Sequence, residues 1–274
     1  MDRRFWPATE RVAHVSLQGR IDGVAFTEGR ACMVGSPLVD LQRAPDGPRE
    51  RQLPRGTGFT VVEEVGGWAF GFAEPDGYCG WMRAGNLIAP HATSHWVASV
   101  GTHLYAEPRV QAFCGVMPMG ARLRVTGQVA GFAEVDGGFV PASHLRPIGD
   151  WLADPVAVAE GFLGTPYLWG GNSRAGLDCS GLVQLAFHAC GLPCPADSDL
   201  QQALGFALPD DAALQRGDLV FWKGHVALVA DATRILHANG HTMSVAYEPI
   251  KDAIARIIAQ NGGPVIARRR VAAS

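Results

Sequence analysis

One of the six cysteines lies where the sequence predicts the start of a helix. Cys179 follows Asp178, a residue type that caps helix N-termini, and precedes an apolar stripe that continues to Ala189. Unpaired backbone N–H groups and the positive end of the helix dipole favour a thiolate at such a position. Cys179 is therefore a candidate nucleophile, with an expected pKa below the ~8.5 of a free thiol. We expect iodoacetamide to modify it ahead of the other cysteines.

Two histidines occur in short apolar segments downstream of this helix. His225 opens one strand-like run, where a general base for the thiol would be held rigidly, and His237 ends the next run. A third polar group that orients the base would complete a Cys–His–His triad. The two side chains share a face if the loop between the strands has three or five residues, which places His237 opposite Ala227. With a four-residue loop, His241 or Asn239 becomes the candidate instead.

The segments around these residues predict an α+β domain from residue 151 onward. The first helix has Asp154-Pro155 near its start, and the second has Asp178 as N-cap and Gly191 just past its end. Four strands follow the helices. The predicted helices span 151–163 and 178–190, and the predicted strands span 218–222, 226–230, 235–238 and 242–247.

The N-terminal half contains an internal repeat of residues 39–90 in residues 102–147. Each copy alternates apolar and polar residues over short runs separated by glycine turns, a pattern typical of hairpins. Two small β-barrels of about five strands each are predicted, and one continuous β-sandwich is the alternative. Residues 1–30 have no repeat partner and form either an arm packed on the rest or a partly disordered segment.

Composition excludes several classes of protein. The chain of 274 residues is 47 % hydrophobic, 18 % charged and has a net charge of −3, so neither a disordered chain nor a nucleic-acid binder is expected. No apolar run is long enough to span a membrane. The N-terminus has no secretory signal, so a cytoplasmic location is expected. The basic tail Arg268–Arg270 is expected to be solvated.

The remaining cysteines predict neither a disulfide scaffold nor a metal centre. Six cysteines are too few for a disulfide scaffold in a chain of 274 residues. Cys190 and Cys194 lie at or beyond the C-terminal end of the predicted helix and fit the reading of buried structural thiols. With His188 they resemble half a zinc site, but no second paired cluster follows them. No metal and no cofactor are expected.

Five short motifs, in order, resemble the NlpC/P60 cysteine peptidases. They are Tyr-x-Trp-Gly-Gly at 167–171, Asp-Cys-Ser-Gly at 178–181, Arg-Gly-Asp-Leu-Val-Phe at 216–221, Gly-His-Val at 224–226 and His-Ala at 237–238. The resemblance covers about residues 151–260. It implies that Cys179 is the nucleophile, His225 the base and His237 the third member of the triad. It also implies that Tyr167 lies near the oxyanion and that Ser180 supports the site or touches substrate.

The repeats resemble bacterial SH3-like domains. The closing segment of that domain matches Gly80-Trp81-Met82 with Leu87 in the first copy and, in degraded form, 138–145 in the second. The expected fold is multi-domain, with two small all-β SH3-like barrels followed by an α+β papain-like NlpC/P60 domain. The expected boundaries are 1–30 for the arm, 31–92 and 93–149 for the SH3-like domains, and 150–274 for the peptidase domain.

This combination is similar to the γ-D-glutamyl-L-diamino-acid endopeptidases, which cleave murein peptides. That likeness implies that Asp197 and Ser198 bind the free amine of an N-terminal L-alanine and that Tyr78 closes over it, with Trp169 among the substrate-binding residues. Asp197 as a helix N-cap and Tyr78 as barrel packing are the structural alternatives. The expected substrates are free recycled peptides, and the N-acetylated form should not be cleaved. The rival functions are an amidase or acyltransferase on the same domain and a non-catalytic cell-wall-binding protein.

Overall fold

A computed structural model describes residues 2–271 and divides the chain into two units, Met1–Ile148 and Gly149–Ser274. The first unit is built from short strands, and four 3-10 helices lie among them: Arg3–Phe5, Val15–Leu17, Ala84–Asn86 and Ala142–His144. The strands up to residue 88 are β1 (Val12–His14), β2 (Ala25–Thr27), β3 (Arg30–Val34), β4 (Leu38–Gln42), β5 (Arg49–Pro54), β6 (Gly58–Val65), β7 (Trp68–Ala73), β8 (Cys79–Arg83) and β9 (Leu87–Ile88). The strands that follow are β10 (His95–Val97), β11 (Gly101–Tyr105), β12 (Phe113–Pro118), β13 (Arg122–Leu123), β14 (Val125–Val129), β15 (Phe132–Val135), β16 (Gly138–Pro141) and β17 (Leu145–Pro147).

The two sequence repeats have the same strand order. The first repeat forms one seven-stranded sheet in the order β5-β4-β8-β7-β6-β3-β9. The second forms a five-stranded sheet, β12-β11-β16-β15-β14, and a three-stranded sheet, β13-β10-β17. The break falls at Arg124, between β13 and β14, where the first repeat has the continuous strand β6. Each repeat therefore has more and shorter strands than the five predicted, with a shared topology as the repeat implies.

Residues 2–30 pack against the first repeat. Ala13 and Leu17 are fully buried, and Val12 packs against a buried cluster that contains Val62 and Phe70. Two arginines of this segment form ion pairs with the repeat, Arg3 with Glu50 and Arg11 with Glu63. Of the two alternatives for residues 1–30, the structure favours the packed arm for the residues that it describes.

The second unit is an antiparallel sheet with helices on both faces. Its helices are α1 (Pro155–Glu160), α2 (Cys179–Ala189), α3 (Ser198–Gln201) and α4 (Ile250–Ala259). Its strands are β18 (Asn172–Ser173), β19 (Gly176–Leu177), β20 (Phe206–Ala207), β21 (Leu219–Trp222), β22 (His225–Val229), β23 (Arg234–Asn239), β24 (Ser244–Pro249) and β25 (Ala267–Arg270). The main sheet has the order β20-β25-β21-β22-β23-β24. None of the helices in residues 2–271 is long and apolar enough to cross a membrane.

The two faces of this sheet have different partners. Side chains alternate along a strand, and Val220, Ala227 and Ile235 on one face pack against Ala253 and Ile257 of α4. Helix α2 contacts β22 and β23. The side chains of the opposite face, among them Phe221, Val226, Leu228 and Leu236, are fully buried beneath it. The sheet is thus a core layer between α2 and α4.

The first predicted helix is shorter in the structure than the pattern implied. Asp154 is its N-cap and accepts a hydrogen bond from the Val156 N–H at 2.9 Å, so the predicted Asp-Pro start is confirmed at Pro155. The residues before it are not helical, since the Leu152 N–H donates to the Ala189 carbonyl of α2 instead. The prediction of a helix from 151 to 163 was therefore wrong at both ends.

The second helix follows the prediction closely. It spans Cys179–Ala189, with Asp178 as N-cap, and Gly191 lies just beyond it at φ +71°. A Cβ at residue 191 would lie 2.4 Å from Trp151 Cδ1, so a side chain there would be strained and would also clash.

The basic segment 268–270 is a strand rather than a solvated tail. Strand β25 lies between β20 and β21. Arg270 donates from Nε and Nη2 to both carboxylate oxygens of Asp218 at 2.7 Å, and Asp218 is only 1 % exposed. A buried carboxylate needs a charged partner, and this partner comes from the far end of the chain. The expectation of a solvated tail was wrong because three consecutive arginines do not show the alternation of polar and apolar residues that indicates a strand.

Candidate active site

Asp178 ties the start of α2 to the glycine loop before it. Its Oδ1 accepts hydrogen bonds from the Gly181 N–H at 2.7 Å and the Ser180 hydroxyl at 3.1 Å, and its Oδ2 accepts from the Gly170 N–H at 2.8 Å. A Cβ at residue 181 would lie 2.4 Å from the Gly171 carbonyl oxygen, so the loop approaches the helix only because residue 181 is glycine. These contacts place Cys179 in the first turn, and Ser180 supports the cap.

The thiol of Cys179 is buried among backbone donors. Cys179 is only 7 % exposed. The N–H groups of Val226, Ser180 and Cys179 itself lie within hydrogen-bonding reach of the sulfur. Val226 follows His225 directly in the chain, so this contact places the sulfur beside the backbone next to His225. Burial nevertheless dominates and raises the pKa of Cys179 to about 12, with the nearby Asp178 charge acting in the same direction.

The expected low pKa of Cys179 is therefore wrong for the resting enzyme. Helix position favours the thiolate, but removal of water from the sulfur disfavours it more strongly. The thiol stays protonated at neutral pH and loses its proton only as it attacks. Cys114 is exposed, so we expect iodoacetamide to modify Cys114 before Cys179.

The two histidines lie side by side on one face of the sheet. His225 Nε2 and His237 Nδ1 are 2.9 Å apart. The register pairs Leu228 with Leu236 and Val229 with Ile235, which leaves five residues, 230–234, between the last pair. Continuing this register places His237 opposite Ala227. The predicted pairing of His225 with His237 is confirmed, and the alternatives His241 and Asn239 are not needed for it.

A carboxylate and an arginine extend this pair. His237 Nε2 lies 3.1 Å from Oε2 of Glu248 on β24. Arg256 of α4 donates to the same carboxylate, from Nε to Oε1 at 2.8 Å and from Nη2 to Oε2 at 2.7 Å. The sequence analysis missed both residues. Alternation in β24 was a usable signal, since Ala246 pairs with His237 and residue 248 points to the same face.

These partners determine which nitrogens carry protons. Arg256 holds the pKa of Glu248 below its usual range, so Glu248 only accepts hydrogen bonds. His237 therefore has its proton on Nε2, facing Glu248, and its Nδ1 accepts from the Nε2–H of His225. This assignment leaves Nδ1 of His225 unprotonated and able to accept a proton from a thiol.

Burial keeps both histidines neutral near pH 7. It lowers the pKa of His225 to about 3, with a further contribution from His237. It also lowers the pKa of His237 to about 4, against the opposing attraction of Glu248. The site thus holds a neutral thiol and a neutral imidazole, the protonation states suited to general-base catalysis at the moment of attack.

Tyr167 lies close to the nucleophile. Its backbone N–H donates to the Met243 carbonyl at 2.9 Å, which anchors the segment before the glycine loop. Burial raises the pKa of Tyr167 to about 12, and the neighbouring Cys179 and Asp178 act in the same direction. The phenol therefore remains a hydrogen-bond donor, as a group near an oxyanion must be. Trp169, two residues later, is 70 % exposed and open to a ligand.

Asp197 and Ser198 lie beside the start of α2. Gln201 of α3 donates to the Ser180 carbonyl at 3.0 Å and to the Pro195 carbonyl at 2.9 Å, which holds this segment against the cysteine helix. Asp197 occupies the N-cap position of α3, but its side chain makes no capping hydrogen bond. Burial raises the pKa of the Asp178 carboxyl, and the nearby Asp197 charge acts in the same direction. The Asp197 carboxylate thus lies near the catalytic helix without serving as a cap.

Tyr78 belongs to the first unit. It is 2 % exposed, the Arg51 guanidinium lies 5.2 Å from its ring centre, and Phe5 contacts it edge-on. These contacts are those of a packed aromatic side chain, and closure over a substrate amine stays a prediction.

The resemblance of His188, Cys190 and Cys194 to half a zinc site has a simpler structural explanation. His188 Nε2 lies 3.1 Å from the Cys194 carbonyl, where it serves the backbone. Within residues 2–271, no group of three histidine, cysteine or acidic side chains is arranged to hold a metal ion.

Comparison with known proteins gives two family matches. Residues 164–256 match the NlpC/P60 family, and residues 41–87 match the bacterial dipeptidyl-peptidase SH3 domain. The first match contains Cys179, His225, His237 and Glu248. The second lies in the first repeat, so an SH3-like fold for the second repeat, and two separate barrels, stay predictions.

Relatives and a solved structure extend over most of the chain. A γ-D-glutamyl-L-lysine dipeptidyl-peptidase of Bacillus subtilis is 31 % identical over 216 residues, which are 69 % of this chain and 72 % of the relative. A protein of the same name from Bacillus cereus is 29 % identical over 238 residues, 73 % of this chain and 70 % of the relative. An NlpC/P60 family protein from Bacillus cereus has the same fold, with a TM-score of 0.74 at 22 % identity over 88 % of this chain and 99 % of that one. With its buried thiol and histidine pair, the chain belongs to the NlpC/P60 family of cysteine peptidases, with an SH3-like domain ahead of a papain-like peptidase domain.

Proposed function

We propose that the protein hydrolyses the γ-D-glutamyl–L-diamino acid bond of murein peptides. The observation that carries this proposal is the row Cys179, His225, His237 and Glu248, in a chain that aligns over 216 residues with a γ-D-glutamyl-L-lysine dipeptidyl-peptidase. The reaction is acyl transfer to the thiol followed by hydrolysis, and it uses side chains and backbone N–H groups alone.

The proposed reaction begins when the Cys179 sulfur attacks the γ-carbonyl carbon and its proton passes to Nδ1 of His225. The backbone N–H of Cys179 and the hydroxyl of Tyr167 hold the oxyanion. The imidazolium of His225 then protonates the leaving amine, and a thioester remains on Cys179. Water attacks the thioester while His225 takes a proton from that water. The C–S bond then breaks, His225 returns the proton to the Cys179 sulfur, and the acyl product leaves with the enzyme restored.

The substrates proposed are free peptides with an N-terminal L-alanine. Asp197 supports this proposal, because its carboxylate lies near the start of the catalytic helix. A protonated amine would form a charge-assisted hydrogen bond with it, whereas an acylated nitrogen would lose the charge and add bulk. Recycled peptides released from the sugar have this free amine. The proposed location is the cytoplasm, and cell fractionation tests it.

Mass spectrometry of products from L-Ala-γ-D-Glu-L-Lys and its diaminopimelate analogue tests the reaction. Wild type should release L-Ala-D-Glu and the free diamino acid, and Cys179→Ala should release neither. Cleavage after L-alanine, or an unchanged rate in Cys179→Ala, contradicts the proposal.

The free-amine preference has a separate test. The kcat/KM of wild type should be about 100-fold or more higher for the free tripeptide than for its N-acetylated form. Asp197→Ala should remove most of this difference, mainly through loss of activity on the free peptide. Equal cleavage of both peptides by wild type refutes the amine recognition and leaves the proposed chemistry intact.

A further inference from the structure

A cavity of about 230 Å³ borders the general base on the α4 side of the sheet. Its walls come from Trp222, Lys223 and His225 at the β21–β22 turn, from the turn at 239–241, and from Arg256 on α4 with Gln260 just after it. The ring of His225 is therefore shared between the reaction centre and this cavity.

The position of the cavity assigns it to one half of the substrate. The nucleophile comes from α2, which packs on the sheet face opposite to α4. His225 must reach the leaving amine to protonate it, so the leaving group lies on the His225 side of the sulfur. The cavity is lined by this same histidine. The acyl half is then left to the groups beside the start of α2, Asp197 and Tyr167.

The cavity is lined with hydrogen-bond donors and positive charge. Lys223, one of the two lysines in the chain, and His241 are exposed on its walls. Trp222 is 1 % exposed, and its indole Nε1 is buried with no hydrogen-bond partner. A buried donor without an acceptor is costly unless a ligand supplies one. Trp222 lines the cavity, so an anionic ligand there would have a donor available.

Lys223 supplies positive charge to the cavity walls. Arg256 is paired, since both oxygens of Glu248 accept from it. The turn that carries His241 is rigid, because Asn239 Oδ1 accepts from the N–H groups of His241 at 3.0 Å and Thr242 at 2.8 Å. The imidazole of His241 is therefore held at the edge of a preformed space.

We propose that this cavity binds the α-carboxylate of the leaving diamino acid, with Lys223, His241 and the Trp222 indole N–H as its partners. The inference rests on the proposed function and deepens it, since it names what the enzyme recognises beyond the cleaved bond. A diamino acid at the end of the peptide presents this carboxylate, and a blocked or extended one does not. The enzyme thus selects peptides that end at the diamino acid.

The test compares two substrates, L-Ala-γ-D-Glu-L-Lys and the same tripeptide with a C-terminal carboxamide. Wild type should have a kcat/KM about tenfold higher for the free acid. Lys223→Gln and Trp222→Phe should each lower kcat/KM for the acid by about five- to tenfold, mostly through KM, and change the amide little. Lys251→Gln changes the other lysine, which is exposed on α4, and should leave both substrates unaffected.

The outcomes separate the two proposals. Equal cleavage of acid and amide by wild type, or an equal loss on both in Lys223→Gln, overturns the carboxylate site and leaves the proposed function standing. Failure to cleave either tripeptide overturns the proposed function itself. Free L-lysine should also inhibit wild type more strongly than lysinamide, and Lys223→Gln should reduce that difference.

Discussion

Glu248 determines which nitrogen of each active-site histidine carries a proton. Without it, His237 is free to place its proton on Nδ1, facing His225 Nε2 at 2.9 Å. His225 would then have to carry its own proton on Nδ1, the nitrogen that must accept from the thiol. In this tautomer the base is occupied before the reaction starts, which is costly for catalysis. Glu248, separated from the thiol by the two histidines, therefore acts on the reaction through proton placement.

Replacement of Glu248 tests this positioning role. Glu248→Ala should lower kcat by about 10- to 100-fold with little change in KM, because it alters proton placement rather than substrate contacts. Glu248→Gln retains an acceptor oxygen for the His237 Nε2–H and should recover part of the loss. Asp252→Asn, on the exposed first turn of α4, is the matched control. A KM effect without a kcat effect would show that Glu248 serves substrate binding instead.

The sequence predicted the reacting residues better than those that support them. Cys179, His225 and His237 are recognisable because polar residues at the ends of apolar segments are unusual and have chemical meaning. Glu248 and Arg256 resemble ordinary surface residues in the sequence. Their role depends on the packing of α4 against β24, which brings them together. The protonation of Cys179 was mispredicted for the same reason, since burial is a property of the assembled fold.

Helix α2 is held at its start by a single carboxylate, that of Asp178. Asp178 accepts from two buried backbone N–H groups, those of Gly170 and Gly181, and from the Ser180 hydroxyl. Each N–H left without an acceptor costs free energy because water does not reach it. The cap therefore joins the glycine loop, the nucleophile and the helix into one rigid element.

Asp178→Ala should lower the free energy of unfolding by about 2 kcal/mol or more, measured by urea denaturation. Activity should fall as well, since the loop and the thiol lose their shared anchor. Asp154→Ala removes the N-cap of α1, whose carboxylate is 43 % exposed, and should cost about 1 kcal/mol or less. Equal costs for the two variants would mean that Asp178 acts as an ordinary cap.

The elements that the sequence predicted well are those with local signals at both ends. Helix α2 has a capping aspartate and a terminal glycine, and its bounds agree with the structure. Helix α1 begins at the Asp154-Pro155 signal and ends at Glu160, directly before Gly161, and the prediction of 151–163 overlooked this glycine. Strand β25 was missed because its place in the sheet depends on the distant partner Asp218. A contact between residues far apart in sequence decided this last case.

The sequence repeat lies in the first of the two units, and the peptidase motifs lie in the second. The repeat was visible because turn glycines and Asp-Gly pairs recur in register, and the shared strand order follows from them. The number of strands was underestimated. In the second repeat, for example, the strand that corresponds to β6 is divided at Arg124 into β13 and β14. The buried histidine pair lies wholly in the second unit, so its titration affects the stability of that unit.

The second unit should lose stability between about pH 6.5 and pH 4, before most carboxylates titrate. Burial lowers the folded-state pKa of His225 to about 3 and that of His237 to about 4, below the ordinary 6.5 that applies to the unfolded chain. In this window the unfolded state binds more protons than the folded state, so the free energy of unfolding falls as pH falls. Each histidine contributes up to about 1.4 kcal/mol per pH unit. Carboxylates with lowered pKa, such as Glu248, add to this loss only at lower pH.

Hydrogen exchange of amides in the two units, measured from pH 7 to pH 4.5, checks this expectation. After correction for intrinsic exchange, protection in α2, β22 and β23 should decrease as pH falls, with a slope that reflects up to two protons. His225→Gln removes one of these titrating groups, so its slope should be about half that of wild type. His237→Gln should have a similar effect, provided that its buried amide is accommodated beside Glu248. A wild-type slope near zero in β22 and β23, with acid loss confined to β3–β8, would mean that the folded histidine pair binds protons as readily as the unfolded chain does. Burial would then not keep His225 neutral, and only its unprotonated fraction could act as the general base.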